Sequence, residues 1–253
     1  MSYTALVTGA SAGLGAEFCR QLSQLGVDLV LVARNTERLE ALAMDLATNC
    51  EILEADLLAE EGQRTVADRL ADRERPIDIL VNNAGFGIAS SFDTSELQDE
   101  RRLHEILSWV PLALCHAAIP GMRARGRGWI INVASVAGLI PGGSYSAAKA
   151  GVVSLSRSLG LRYGRGGINV TALCPGFTHT EFHKRMGTGE AGIPTFAWAD
   201  AGTVVREGIR GVRRGKLVVV SDWKYRAVRP FLPLVPRSIM EIALADGHRR
   251  LGN

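Results

Sequence analysis

Residues 4–15 read TALVTGASAGLG. A short apolar run passes without a break into a glycine cluster, and from Leu14 a helical pattern lasts to about Leu25. Such a turn does two things. It lets main chain approach a ligand with no Cβ in the way, and it aims the unpaired N–H groups of the helix's first turn at the same spot. Gly9, Gly13 and Gly15, spaced G-x-x-x-G-x-G, read as a pyrophosphate cradle at the head of a βαβ unit. Ser11 and Leu14 lie inside it and are counted among its cofactor contacts.

Outward from this stretch, strand-like runs alternate with helical patterns. DLVLVA (28–33) precedes a helix over 36–47, and EILEAD (51–56) one near 59–73. IDILVNNAG (77–85) precedes a long helix over about 98–118, and WIINVAS (129–135) one over about 145–163. INVTALCPG (168–176), a helix near 200–213 and LVVV (217–220) complete the series. Strands that are continuous runs of Val, Ile and Leu are buried on both faces. Their alternation with helices predicts right-handed crossovers and one doubly wound parallel α/β sheet in a single domain over 1–253. Two segments break the rhythm: residues 178–199, a long loop after the sixth strand, and a basic, apolar tail over 222–253.

Composition limits the function classes. Of 253 residues 47% are hydrophobic, and the formal net charge of +3 is too small to argue for nucleic acid as partner. Cys19, Cys50, Cys115 and Cys174 are scattered without CxxC spacing, which reads as small buried side chains in a reducing compartment. The start enters a strand at once and no run of eighteen apolar residues follows, so neither a leader nor a membrane span is expected, and the cytoplasm is the expected location. His179 and His183 flank Glu181, but no further ligand is evident and no metal site is expected.

The tip of the second strand bears on which nucleotide the cradle takes. Arg34 stands there, nineteen positions beyond Gly15, and no acid does. A guanidinium suits a ribose 2′-phosphate, which predicts NADP(H) over NAD(H). At the tip of the third strand Asp56, with Leu57 beside it, reads either as an acceptor for the adenine amino group or as a helix cap.

Residues 144–149 read SYSAAK and place Tyr145 and Lys149 one helical turn apart on the same face. With TGASAGLG, with NNAG at 82–85 and with Ser135 at the end of the fifth strand, this set resembles the short-chain dehydrogenase/reductase family over about residues 3–220. The resemblance implies a Rossmann fold, a homodimer or homotetramer, and oxidoreduction of a small-molecule carbonyl or secondary alcohol. The chemistry of the residues agrees. A phenol is a weak base at neutral pH, and an ammonium one turn away favours its ionised form, so Tyr145 is expected to exchange the proton. Ser135 is expected to polarise the carbonyl, and the family's lysine role, holding the nicotinamide ribose, carries to Lys149. In the family pattern Asn82, Ala84 and Gly85 belong to the loop under the adenine ribose, Asn82 reading best as a tie between strands. Pro175, Gly176 and Thr180, in PGFTHT, fall beside the nicotinamide.

Two departures from the family stand out. Ser135 and Tyr145 are ten positions apart where thirteen is common, which reshapes the pocket. Leu107 occupies the place of the asparagine that holds a relay water, and the long helix contains no asparagine. A non-catalytic NADP(H)-binding sensor or scaffold, and an epimerase or dehydratase on the same fold, stay open. The apolar GLIPGG (138–143) and PTFAWA (194–199) point to a hydrophobic ketone.

Overall fold

The strands are apolar enough to be covered on both faces, and they are. The computed structural model describes residues 3–178, 198–221 and Arg226. β1 (Thr4–Thr8), β2 (Asp28–Ala33), β3 (Cys50–Glu54), β4 (Ile79–Asn82), β5 (Gly128–Val133), β6 (Ile168–Cys174) and β7 (Val218–Val220) form one sheet in the order β3-β2-β1-β4-β5-β6-β7. Every pairing in it is parallel. Alternate residues go to opposite faces, so Ala5 and Val7 of β1 enter one core layer and Leu6 the other. The first layer lies under α1 (Gly13–Gln24), α2 (Thr36–Met44) and α7 (Ala201–Arg213). The second lies under α3 (Glu60–Ala71), α4 (Leu97–His104), α5 (Val110–Arg125) and α6 (Gly143–Tyr163). This is the expected doubly wound Rossmann-type sheet. The strand order reverses between β1 and β4, the point where sheets of this kind have their ligand crevice, at the carboxyl ends of the strands.

Three boundaries differ from the expectation. α2 ends at Met44, short of 47, because Ser23 Oγ takes a hydrogen bond from Ala47 N at 3.0 Å and pulls the chain off the helix axis. β3 runs over 50–54 instead of 51–56, and its residues are only half covered because it is an edge strand. The long helix runs on to Arg125, where Gly126 at φ 66° stops it. Pro120 within it leaves the carbonyl of the exposed His116 to solvent, which tolerates the lost bond.

That helix also contains a π turn, Glu105–Trp109, between α4 and α5. Pro111 has no N–H to offer the carbonyl four residues back, and Val110 N bonds to Glu105 O, five residues back, instead. The stretch Leu97–Arg125 is long and apolar enough to cross a membrane by length and composition. Its apolar side chains, Leu103, Leu107, Leu114 and Met122 among them, are buried in the second core layer, so it is a core helix. Trp109 and His116, on the same helix stretch, are exposed on the surface of the chain. All four cysteines are free, and Cys50 is only half-buried where burial was expected.

Candidate active site

The glycine loop is built for a close approach. Gly9 (φ +65°) and Gly13 (φ +55°) hold a conformation that L side chains rarely adopt. Gly15 has no such φ, but a Cβ there would strike the Gly9 carbonyl oxygen and come within 2.6 Å of Asn83 Nδ2. The α1 N-cap, Ala12, makes no side-chain cap and the first turn carries no acid, so its N–H groups stay open to an anion. Ser11 lies half-buried in the loop, while Leu14 packs on the first core layer. A cradle that glycines keep open at an uncapped helix N-terminus fits the pyrophosphate of a dinucleotide.

Two residues outside the expected set hold this loop. Thr8 Oγ1 accepts from Asn83 N (2.9 Å) and Ala84 N (3.1 Å), and Asn83 Nδ2 donates to Thr8 O (3.0 Å) and Gly9 O (3.3 Å). The NNAG stretch is therefore clasped to the glycine turn across the crevice. Ala84 and Gly85 lie there, whereas Asn82 turns into the interior, 4% exposed, and donates to Asn132 Oδ1 at 2.7 Å. That bond ties the end of β4 to β5.

Arg34 follows β2 and keeps its side chain 68% exposed, 4.0 Å from Asp56 Oδ2. Ala59 caps α3, so Asp56 is not its N-cap; Asp56 Oδ1 instead accepts from Leu58 N at 3.0 Å. Arg34 and Asp56 thus stand together at the rim, while Leu57 is 5% exposed and belongs to the core.

Across the crevice, Ser135 follows β5 and caps a 3₁₀ turn, its Oγ accepting from Ala137 N at 3.1 Å. That turn is how ten positions suffice between Ser135 and Tyr145. It packs so tightly on α6 that a Cβ on Gly138 would come within 2.9 Å of the Lys149 carbonyl oxygen. Tyr145, in the first turn of α6, hydrogen-bonds Ser135 through its side chain. Lys149 Nζ donates to Val133 O at 2.7 Å and lies 5.9 Å from the centre of the Tyr145 ring. Serine, phenol and ammonium thus meet at the carboxyl end of β5.

Their acidities correct one expectation. Burial pushes the Tyr145 hydroxyl up to about 12, and the Ser135 hydrogen bond offsets only part of this. Burial presses Lys149 down to about 8, with Cys174 pulling the other way. In the protein alone desolvation dominates, so the phenol is a weaker acid than a free one.

Leu107, in the π turn, is 1% exposed, and its Cδ2 lies 2.6 Å from where a Cβ on Gly85 would sit. It fills with hydrocarbon the place of the family's asparagine. Pro175 and Gly176 close β6, and Pro175 O accepts from Val136 N at 2.9 Å, joining that turn to the Ser135 loop. Thr180, His179, Glu181 and His183 lie outside the described residues, as do 222–225 and 227–253 of the tail. Among the described residues no cluster of three His, Cys, Asp or Glu side chains is placed to hold a metal.

Known proteins resemble this chain in sequence and fold. The family model for short chain dehydrogenases matches residues 3–191. A 3-oxoacyl-[acyl-carrier-protein] reductase of Rickettsia bellii is 33% identical over 186 residues, 72% of this chain and 76% of that protein. A short-chain dehydrogenase from Sphingobium yanoikuyae, solved in complex with NADPH, superposes with a TM-score of 0.81 at 32% identity, covering 98% of this chain and 94% of that one. The bulky-bulky ketone specific alcohol dehydrogenase from Comamonas testosteroni does so with 0.78 at 29% identity, covering 93% and 96%. With a glycine cradle, a Ser–Tyr–Lys set and these likenesses, the chain belongs to the short-chain dehydrogenase family and is an NAD(P)-dependent oxidoreductase acting on CH–OH groups.

Proposed function

We propose that this protein is an NADP(H)-dependent reductase of hydrophobic ketones, with Tyr145 as the proton donor. The observation that carries the reading is the meeting of Ser135, Tyr145 and Lys149 at the end of β5, beside the glycine cradle. The cradle of Gly9, Gly13 and Gly15, the rim of Arg34 and Asp56, and Lys149 are the residues that would hold a nicotinamide dinucleotide. Bound there, it supplies or accepts the hydride.

The chain's own residues handle the oxygen and the proton. Ser135 Oγ donates a hydrogen bond to the carbonyl oxygen and stabilises negative charge as it builds there. Tyr145 Oη then hands that oxygen its proton and leaves an alcohol. With its pKa at about 12, Tyr145 is protonated at neutral pH, as the proton donor of the reductive direction must be. Lys149 offsets the phenolate left behind until solvent returns a proton. Arg34 supports NADP(H) over NAD(H), and the NADPH in the Sphingobium structure accords with it. Ile140, 42% exposed above the Ser135 turn, and Phe177, 39% exposed beyond β6, support an apolar substrate, in line with the ketone specificity of the Comamonas enzyme. Free thiols accord with a reducing compartment such as the cytoplasm, and a homodimer or homotetramer belongs to the same reading.

The test is a panel of aliphatic, aromatic and steroid ketones with NADPH, followed by the absorbance of the reduced nicotinamide. Turnover of at least one apolar ketone is expected. Tight NADPH binding with no turnover across the panel would turn the reading toward a sensor or scaffold.

A further inference from the structure

Tyr145 and Lys149 share one helix, so the height of α6 along the sheet sets where both head groups sit. The face that α6 buries is shallow, made of Ala148, Val152, Val153, Ser156 and Gly160 among others. Low ridges resist sliding along the helix axis weakly. Two polar contacts with successive residues of β5 resist it instead. Lys149 Nζ holds Val133 O at 2.7 Å. Seven residues on, two turns lower on the same face, Ser156 Oγ accepts from Asn132 Nδ2 at 2.9 Å and donates to Val152 O at 2.7 Å.

Asn132 is itself oriented from its other end. Its Oδ1 accepts from Asn82 Nδ2 at 2.7 Å and lies 3.6 Å from Cys115 Sγ. Asn132 and Ser156 are each 0% exposed. At that depth a broken bond leaves a polar group with no water to turn to, so the chain of bonds favours one arrangement over slipped ones.

We propose that Asn132 and Ser156 are positioning residues, their bond setting the height of α6 on β5 and so the place of Tyr145 and Lys149 at the strand's end. This rests on the reading of those two as the reacting pair.

Ser156→Ala removes the bond with little change of shape. With NADPH and an active ketone, kcat is expected to fall about tenfold or more, because small displacements of a reacting group are costly. The Kd for NADPH is expected to change far less than kcat, because the glycine loop and the Arg34 rim lie off α6, and Ser156→Thr is expected to restore kcat. A second readout does not need turnover. The chain has only four lysines, so the Cε resonance of Lys149 can be assigned with Lys149→Arg and titrated by NMR. In Ser156→Ala its midpoint is expected to rise by about one pH unit or more as water reaches the ammonium. A lower melting temperature with kcat and the Lys149 midpoint both unchanged would reduce Ser156 to a stability role and overturn the proposal. Should the wild type reduce no ketone while the Lys149 midpoint still moves, the positioning stands and the ketone-reductase reading falls. If Ser156→Ala does not fold, Ser156→Cys, with the same shape and a poor hydrogen-bonding group, takes the same readings.

Discussion

Arg34 and Lys149 show how one side chain's surroundings decide its use. Among the described residues Arg34 has no tight ion pair, since Asp56 stands 4.0 Å away and both are well exposed. An exposed pair at that distance contributes little to stability, so the guanidinium is available to a phosphate. In Arg34→Asp two carboxylates would face that phosphate. The Kd for NADPH is expected to rise on the order of tenfold to a hundredfold while that for NADH changes little, by the strength of a charge-assisted contact. Equal Kd values for NADPH and NADH in the wild type would remove the case for NADP(H). Lys149 carries the pH dependence. Burial presses its pKa down to about 8, so it is charged below that pH and neutral above it. A charged lysine is what steadies the phenolate after transfer, so kcat for reduction is expected to hold at neutral pH and to fall as pH rises through about 8. A profile flat to pH 10 would contradict that role. The residues themselves were legible in the sequence because Tyr145 and Lys149 follow one helical period. Their acidities were not, because desolvation depends on what covers them. Thr8 and Asn83 escaped notice for a similar reason: their bonds join positions 75 apart, and no local pattern marks such a pair.

At the scale of the element, β1 and β2 were legible to the residue, because Gly9 ends the first apolar run and Asp28 and Arg34 bracket the second. The π turn was not, since it follows from one missing N–H at Pro111 and leaves no periodic trace. That turn carries Leu107 against Gly85, in the place of the family's asparagine. Restoring the family residue here is expected to do harm. Leu107→Asn would bury an amide in the second core layer, at a cost of about 2–4 kcal/mol seen as a lower denaturation midpoint. A variant as stable as the wild type, with a raised kcat, would show that the site has room for the missing relay.

For the whole molecule, alternating strands and helices predicted the doubly wound sheet, and the order β3-β2-β1-β4-β5-β6-β7 bears it out. The crevice lies where that order reverses, and the Gly9 loop, the NNAG loop and the Ser135 turn all come from strand ends facing it. Read as a single domain, with one sheet joining both halves and a core layer on each face, the protein is expected to unfold in one calorimetric transition. Two resolved transitions would divide it.

What unites these scales is a phenol brought to the end of β5 by α6, protonated and bonded to Ser135. The direct measurement is kcat for ketone reduction by Tyr145→Phe beside its Kd for NADPH. The account predicts a fall in kcat on the order of a hundredfold to ten-thousandfold, the usual worth of a positioned proton donor, with the Kd unchanged. A Tyr145→Phe enzyme that reduces the ketone at the wild-type rate would contradict it.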